Sequence, residues 1–499
     1  MKKYRIIFYF IVFSALCANG ACMGQKNTKV RPAGVAGSFY PASPTQLKSM
    51  LDDLFKAVEK RDDPGRVIGL VSPHAGYIYS GHVAAYSYNM LRGKDIKRVV
   101  VISPSHAVSF TGASIYDGIA YVTPLGEVSV DMEFAQELSH KNDLLKLSDI
   151  GHRVGVSGRS EHALEVQLPF LQYVLSNFQL VPIVMGDQSY VTCRALGEAL
   201  ATLIDDDQTV IVASSDLSHF HAYDEAAALD HKLLNAVNEW DYYNICKNCN
   251  SRIWEACGAG PVVSTMIAAE KLGATKATVL KYANSGDIPQ GDKSRVVGYA
   301  AITFTIEQKT GQIKSEEFML EKEEQKELLS IARHSVETAV RDGKVYQCSA
   351  GKYASLARDR GAFVTLRKNG NLRGCIGFTA PIQPLCLSVR DAAMSAALRD
   401  PRFEPVSKQE LNQITYEISV LSPMRRVLDF KAITIGKHGL LVKRGNIEGL
   451  LLPQVATDYK WDVPTFLQHT CQKAGLPPDA WQNDQTDVFM FSAFVFSED

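Results

Sequence analysis

The sequence has little cysteine, no excess of either charge and, after its first residues, no long apolar run. Ten cysteines in 499 residues are too few for a disulfide scaffold, so the core must be held by packing. The formal net charge is -1, which offers no global attraction to nucleic acid or to an anionic membrane. Hydrophobic residues make up 46% of the chain, an ordinary globular proportion. The length then predicts two or three domains.

Two metal motifs are also missing. The chain has no CxxxCxxC to hold an iron-sulfur cluster and no H-E-x-x-H zinc motif. Cys246 and Cys249 form a single CxxC without a second pair, so we expect a disulfide or two ordinary thiols there rather than a metal site.

The N-terminus is the one long apolar segment. Lys2, Lys3 and Arg5 precede the apolar residues 6–18, and small residues lead to Cys22. This pattern predicts a secretory or lipoprotein signal over residues 1–24, since the stretch is short for a transmembrane helix. We therefore expect export to the periplasm, with membrane contact only through this end. An uncleaved anchor is an alternative, and an incidental apolar start would leave the protein cytoplasmic.

Three apolar runs in the first half, residues 66–74, 98–106 and 209–219, each end on Ser and His. Such runs are typical of strands buried on both faces, and ligands bind beyond the carboxyl ends of parallel strands. We therefore expect His74, His106 and His219 to converge on one crevice, where imidazoles suit a metal ion or acid-base chemistry. The alternative is that each histidine is structural.

The alternation of helical and strand patterns predicts an α/β domain over residues 30–306, with a mainly parallel sheet and flanking helices. Its first helix is expected over residues 44–60, capped by Ser43. Residues 307–322, rich in Glu and Lys, are interpreted as a linker. A smaller α+β domain is predicted over residues 323–499, beginning with a helix and containing a hairpin at Asn369-Gly370.

Several further residues carry chemistry. Asp216 could orient His219 or a neighbouring imidazole, or cap a helix. Cys257 precedes a predicted helix, where a thiol is expected to have a depressed pKa and to serve as nucleophile or soft metal ligand, unless it is an inert buried thiol. Glu161 and Glu165 are expected on one helical face with His162 beside them.

Five segments in the first half carry a family resemblance: PHAGYIYSG at 73–81, ISPSH at 102–106, SEHALEVQLPFL at 160–171, SSDLSH at 214–219 and CGAGP at 257–261. In this order they resemble the Memo family, which is similar in fold to the class III extradiol dioxygenases (LigB-like), a nonhaem-iron group. The resemblance implies metal ligands at His74, His106 and Cys257, and a catalytic base at His219. A thiolate in place of a carboxylate ligand shifts the preference from iron towards copper or zinc.

The second half resembles the AMMECR domain, whose hallmark LRGCIG stands at residues 372–377. Arg373 is a candidate anion donor and Cys375 a candidate binding residue or nucleophile. Close packing in a strand interior is the alternative for Cys375.

The two halves together look like proteins B and A of the AmmeMemoRadiSam system fused in one chain, which implies a radical-SAM enzyme as partner. The expected function is that of a metal-binding accessory protein with redox or dioxygenase-like chemistry. The alternative is a non-catalytic ligand-binding or scaffold protein that uses the same crevice.

Overall fold

The computed structural model describes residues 29–498 apart from 60–64, 156–159, 290, 307–319, 352, 380, 382, 428–429, 446 and 484. The predicted signal at 1–24, with Cys22, and most of the predicted linker lie outside the described residues. No helix within the described ranges is both long and apolar enough to cross a membrane.

The first half alternates strands and helices, as its sequence pattern predicts. The strands are β1 Val30–Arg31, β2 Arg66–Ser72, β3 Arg98–Pro104, β4 Ala113–Ile115, β5 Ala120–Thr123, β6 Gly126–Ser129, β7 Leu145–Leu147, β8 Gln179–Met185, β9 Thr209–Ser214, β10 His219–His221, β11 Lys276–Asn284 and β12 Val296–Ile306. The helices are α1 Pro44–Lys56, α2 Tyr77–Asn89, α3 Met132–Ser139, α4 Leu168–Val174, α5 Tyr190–Leu203, α6 Tyr223–Asn238, α7 Tyr242–Asn250 and α8 Ala259–Lys271.

The main sheet has the strand order β10-β12-β2-β9-β3-β8-β4-β7, with β11 paired to β12. Its centre is parallel, because β9 pairs in parallel with β2 and β3, and β3 with β8. Strands β12 and β4 flank this centre in the antiparallel sense. The central strands are buried almost throughout, as expected for strands covered on both faces by helices. The α/β class with a mainly parallel sheet is confirmed.

Helix α1 begins at Pro44, as expected, but differs from the expectation in where it ends and in how it is capped. It ends at Lys56 rather than at residue 60, and Ser43 occupies the N-cap position without a side-chain capping hydrogen bond. Pro44 lies in the first turn, where its fixed φ favours the helical conformation and its missing N–H costs nothing. The start of the helix therefore depends on Pro44 rather than on the Ser43 hydroxyl.

The second half is an α+β fold, as predicted. Its helices are α9 Lys322–Asp342, α10 Leu385–Leu398, α11 Pro453–Asp458 and α12 Val463–Lys473, and its strands are β13 Ala362–Lys368, β14 Asn371–Phe378, β15 Ile414–Leu421, β16 Arg425–Arg426, β17 His438–Arg444, β18 Ile447–Leu451 and β19 Asp487–Ser497. The strands form an antiparallel sheet of order β14-β13-β15-β19-β17-β18, in which β16 pairs with β19. Asn369 and Gly370 both have positive φ, 52° and 79°, as a two-residue hairpin turn requires.

The two halves pack against each other. The ring of Phe489 lies 4.7 Å from that of Tyr243 and 6.1 Å from that of Tyr190, between centroids. Arg360 forms an ion pair with Glu239 across the same contact, with Nη1 and Oε2 2.6 Å apart. Apolar residues of both halves thus belong to one buried cluster.

Candidate metal centre

The candidate centre lies beyond the carboxyl ends of three adjacent parallel strands. His74 follows β2, His106 follows β3 and Asp216 follows β9, and these strands are neighbours in the order β2-β9-β3. Cys257 lies two residues before α8, which packs against all three strands. The topology therefore brings residues far apart in the chain to one edge of the sheet, where parallel sheets bind ligands.

Three ligand atoms meet at this edge. One ligand atom each of His74, His106 and Cys257 lies within 4.8 Å of the other two. The Sγ of Cys257 is 3.1 Å from Nε2 of His74, and the two imidazole centroids are 5.1 Å apart. Two atoms bound to one zinc ion by bonds of about 2.0 to 2.3 Å are roughly 3.5 Å apart at a tetrahedral centre. The residues present therefore fit a metal ion.

The tautomer of His74 follows from its hydrogen-bond partners. The hydroxyl of Ser214 donates to the carbonyl of Ala163 at 2.6 Å and accepts from Nε2 of Gln167 at 2.7 Å. Because its one proton is used, Ser214 can only accept from Nδ1 of His74, 2.9 Å away. Nε2 of His74 is then left with its lone pair, facing Cys257. Burial, and next the charge of a neighbouring imidazole, lower the pKa of His74 well below its ordinary value, so the ring stays neutral.

Glu161 orients the second imidazole. Its Oε1 lies 3.2 Å from Nδ1 of His106, and its Oε2 accepts the backbone N–H of His106 at 2.5 Å. Burial alone would raise the pKa of Glu161, but the hydrogen bonds and charge of His106 outweigh burial and lower it to about 2. An ionised carboxylate on Nδ1 leaves Nε2 as the ligand atom, as in carboxylate–histidine–metal sites.

His162 and His219 take different positions in the cluster. The ring of His162 stacks on His106 at 4.9 Å and meets His74 edge-on at 5.5 Å. Burial and the charges of these two rings lower the pKa of His162 to about 4. His219 is half-buried beside the cluster, and its backbone N–H donates to Glu255 at 3.2 Å. His162 is therefore closer to the candidate ligands than the sequence indicates, and His219 lies outside the set of three ligand atoms.

Asp216 holds the backbone of the site. Its Oδ1 accepts the N–H of His74 at 2.7 Å, while its Oδ2 is 3.9 Å from Nε2 of that ring. The carboxylate thus fixes the His74 main chain. Among the described residues, its hydrogen bond goes to the N–H of His74, and not to His219 or to a helix N-terminus. Its backbone N–H donates to Sγ of Cys257 at 3.3 Å.

The expected depression of the Cys257 pKa is wrong. Burial, followed by the charge of Asp216, raises the pKa of this thiol well above its ordinary value. The first turn of α8 begins only at Ala259, so the effect of the helix N-terminus is smaller than the cost of burying a thiolate. A metal ion would reverse this balance, because a coordinated thiol loses its proton.

Gln188 positions the Cys257 loop, although no motif in the sequence indicates this residue. Its Nε2 donates to the carbonyl of Cys257 at 2.8 Å, and its Oε1 accepts the N–H of Gly260 at 2.6 Å. Gly258 allows the loop to reach β9, since a Cβ there would lie 2.2 Å from the carbonyl of Ser214. The glycines around Cys257 were the one available signal for this close approach.

Glu161 and Glu165 do not share a helical face. Residues 161–162 have no regular secondary structure, and a short 3-10 helix begins only at Glu165. Glu165 instead accepts hydrogen bonds from Arg31 at 2.5 Å and from Tyr40 at 2.7 Å, away from the imidazoles. The break before the 3-10 helix sends the two carboxylates in different directions.

Arg373 and Cys375 lie in the second half and do not join the cluster. The Nε of Arg373 binds Glu410 at 3.1 Å, so this guanidinium is paired internally and is not a free anion donor. Cys375 accepts a hydrogen bond from Thr365 at 3.2 Å on strand β14. A Cβ at Gly374 would lie 2.1 Å from a backbone oxygen of α10, which favours the packing interpretation of this motif.

Among the described residues, the cysteines of the lone CxxC belong to no group of three ligand side chains that could share a metal ion. Cys246 and Cys249 both lie on α7 and are free thiols. The sulfur of Cys246 donates to the backbone carbonyl of Gln188 at 3.7 Å.

In the comparisons with known proteins, two family models match the chain, one in each half. The family model described as Memo-like protein matches residues 31–303, and the AMMECR1 model matches residues 329–496. A MEMO1 family protein of Methanopyrus kandleri is 38% identical over 286 residues, which cover 55% of this chain and 98% of that protein. A MEMO1 family protein of Methanosarcina mazei is 38% identical over 277 residues, with coverage of 55% and 98%.

Among solved structures, an uncharacterized protein from Pyrococcus horikoshii is 38% identical and matches with a TM-score of 0.35, covering 36% of this chain and 95% of its own. The Memo-like model spans more than half of the chain, and its relatives are matched over almost their whole length. The chain therefore belongs to the Memo family and carries an AMMECR1 domain after its Memo-like domain.

Proposed function

We propose that the chain is a metal-binding protein whose ion is held by His74, His106 and Cys257. The observation that carries this proposal is the approach of their three ligand atoms to within 4.8 Å of one another. A bound iron, copper or zinc ion would supply Lewis-acid activation and, for iron or copper, electron transfer. A thiolate with two imidazoles favours zinc or copper, while still permitting iron.

The charges around the cluster support a cation. Glu161 and Asp216 are buried, with relative exposures of 2% and 4%. The rings of His74 and His162 are kept neutral by burial. Buried carboxylates are stable when they are paired or oriented towards a metal. Burial raises the pKa of Asp216, and a divalent cation held by His74, His106 and Cys257 would offset the cost of its charge.

Other residues around the cluster orient the imidazoles, leave room for a substrate and provide a group for proton transfer. Ser214 and Glu161 lie on Nδ1 of the two imidazoles, which would leave Nε2 of each ring available to a bound ion. His106 is about one-third exposed, with 34% of its side chain accessible, so a substrate can approach from this side. His219, half-buried beside the cluster, is the residue we assign to proton transfer, with Asp216 keeping the His74 loop in place.

Metal analysis of the purified full chain tests the proposal. We expect about one iron, copper or zinc ion per chain, lost in His74→Ala and in Cys257→Ser. Cys249→Ser is the matched control, because this thiol lies on α7 and outside the cluster. Metal absent after loading with all three ions, or retained in both ligand variants, would contradict the proposal and favour a non-catalytic ligand-binding or scaffold protein.

The redox part of the proposal needs its own assay. Dioxygenase-like chemistry predicts oxygen uptake by the iron-loaded protein with catechols, abolished in His219→Ala while metal content stays unchanged. Loss of the metal itself in His219→Ala would show a structural role instead. No oxygen uptake across a panel of catechols by protein shown to be iron-loaded would refute the dioxygenase assignment and leave metal binding standing.

We also propose that the chain acts beside a radical-SAM enzyme, after export or at the membrane. Co-purification of tagged full chain with a protein carrying an iron-sulfur cluster would support the first point. Recovery in the periplasmic fraction, with lipid labelling that depends on Cys22, would support a lipid-anchored form. Recovery only in the cytoplasm would exclude export.

A further inference from the structure

A pair of thiols lies in the AMMECR1 domain, apart from the metal cluster. Cys348 is in the loop after α9, and Cys386 is in the first turn of α10. The sulfur of Cys348 donates to the backbone carbonyl of Cys386 at 3.7 Å, and both cysteines pack into the same apolar cluster. Two cysteines that lie side by side meet the first geometric requirement for a disulfide.

The surroundings of Cys386 stabilise a thiolate. The hydrogen bond from Cys348, helped by the backbone N–H groups of Leu387 and Cys386 and by the charge of Arg390, lowers the pKa of Cys386 to about 7. The same hydrogen bond raises the pKa of Cys348. Helix N-termini and nearby cations commonly activate cysteines in this way. Of the two thiols, Cys386 is therefore the one that more readily exists as a thiolate.

Access distinguishes this pair from a second one. Cys193 and Cys246 are also adjacent, and each donates to the backbone carbonyl of Gln188 at 3.7 Å. They are 0% and 4% exposed inside the main core, and the Cys246 hydrogen bond together with burial raises the pKa of Cys193. Cys348, in contrast, is half-buried at the surface. Of these two pairs, the one with Cys348 combines proximity, a stabilised thiolate and a route for an oxidant.

We propose that Cys348 and Cys386 form a reversible disulfide by exchange with a low-molecular-weight disulfide. Cys348, the accessible member, passes its proton to Cys386 and attacks one sulfur of the oxidant, which leaves a mixed disulfide on Cys348 and a departing thiolate that takes the proton from Cys386. The Cys386 thiolate then attacks the Cys348 sulfur and releases the second thiol. The two cysteines are oxidised, and one oxidant disulfide is reduced to two thiols. The product links the loop after α9 to α10.

The test uses the reduced full chain treated with oxidised glutathione, then quenched in acid, alkylated and digested with trypsin. Cys348 lies in the tryptic peptide 345–352 and Cys386 in the peptide 374–390. We expect a cross-link between these two peptides, reversed by dithiothreitol. Because Cys375 shares the second peptide, Cys375→Ser is the matched control and should keep the cross-link. Cys348→Ser and Cys386→Ser should lose it.

The buried pair provides an internal reference. Cys193 and Cys246 should stay free in the folded protein and become oxidised only after unfolding. The proposal is overturned if Cys348 and Cys386 remain alkylatable under excess oxidised glutathione, if glutathione stays attached to Cys348, or if the cross-link survives Cys386→Ser. The first two results come from the wild-type chain, so a variant that fails to fold does not remove the test.

Discussion

Replacing Glu161 by Gln should weaken metal binding and the fold together. One carboxylate oxygen accepts the backbone N–H groups of His106 and Ala107 at 2.5 and 3.3 Å. The other oxygen accepts those of His162 and Ala163 at 3.0 and 3.1 Å and lies 3.2 Å from Nδ1 of His106. A Gln side chain has one acceptor oxygen, so its NH₂ group must face at least two donors in either orientation.

The expected loss in the free energy of unfolding follows from these contacts. Hydrogen bonds to a charged acceptor contribute about 1.5 to 3 kcal/mol each, so losing two should lower the free energy of unfolding by roughly 3 to 6 kcal/mol. Loss of the carboxylate partner of a metal-binding imidazole typically reduces metal affinity by about 10- to 100-fold. We therefore expect both effects in Glu161→Gln, measured by denaturant unfolding and by metal titration against a chromophoric chelator.

Asp241→Asn is the matched control for Glu161→Gln. Asp241 is also a buried carboxyl group, it hydrogen-bonds to Asn244, and burial raises its pKa to about 7. It lies at the start of α7, outside the proposed metal cluster, so the change to Asn should leave metal affinity unaltered. Wild-type metal affinity and stability in Glu161→Gln would refute the assignment of this carboxylate.

Three further predictions concern other parts of the chain. Gln188→Ala removes the bond to the Cys257 carbonyl and should lower metal affinity about tenfold, as seen in the same titration; unchanged affinity would mean that the loop is held without it. Burial lowers the pKa of His152 to about 3, so the unfolded state takes up a proton first as pH falls below about 6.5, and the free energy of unfolding should drop by about 2 kcal/mol between pH 6.5 and 5. Urea denaturation of wild type and His152→Gln at these two pH values checks this, since the variant should show a flatter dependence. Arg360→Ala breaks the ion pair between Arg360 and Glu239, whose side chains are 6% and 26% exposed, respectively. It should lower the free energy of unfolding by about 2 kcal/mol, after allowance for solvent at Glu239. Identical unfolding curves for the variant and the wild type would argue against an energetic role for this contact.

Much of the fold could be predicted from local patterns. The apolar runs before His74, His106 and Asp216 are strands because Val and Ile favour the extended conformation and burial on both faces. The hairpin at Asn369-Gly370 could also be predicted, because both positions need positive φ. These features depend on neighbours in the chain, which the sequence shows directly.

The site could be predicted only in part. The strand-end histidines and Cys257 were named from their motifs, but the direction of the Cys257 pKa was wrong, because it depends on burial by residues distant in sequence. Their spacing predicts Glu161 and Glu165 on one helix face, whereas the chain has no regular secondary structure at Glu161. The motif around Arg373 likewise gave no sign of its ion pair with Glu410, because the two residues are distant in sequence.

The sequence by itself determined the strands, the turn and the set of side chains able to bind a metal, since propensity and periodicity act over a few residues. Only the tertiary structure decided which of these meet. The order β2-β9-β3 places His74, Asp216 and His106 at one edge, and the packing of α8 brings Cys257 to them. Distances and burial between remote segments arise from the folded arrangement as a whole, so they set the tautomers, the charges and the partners of each group.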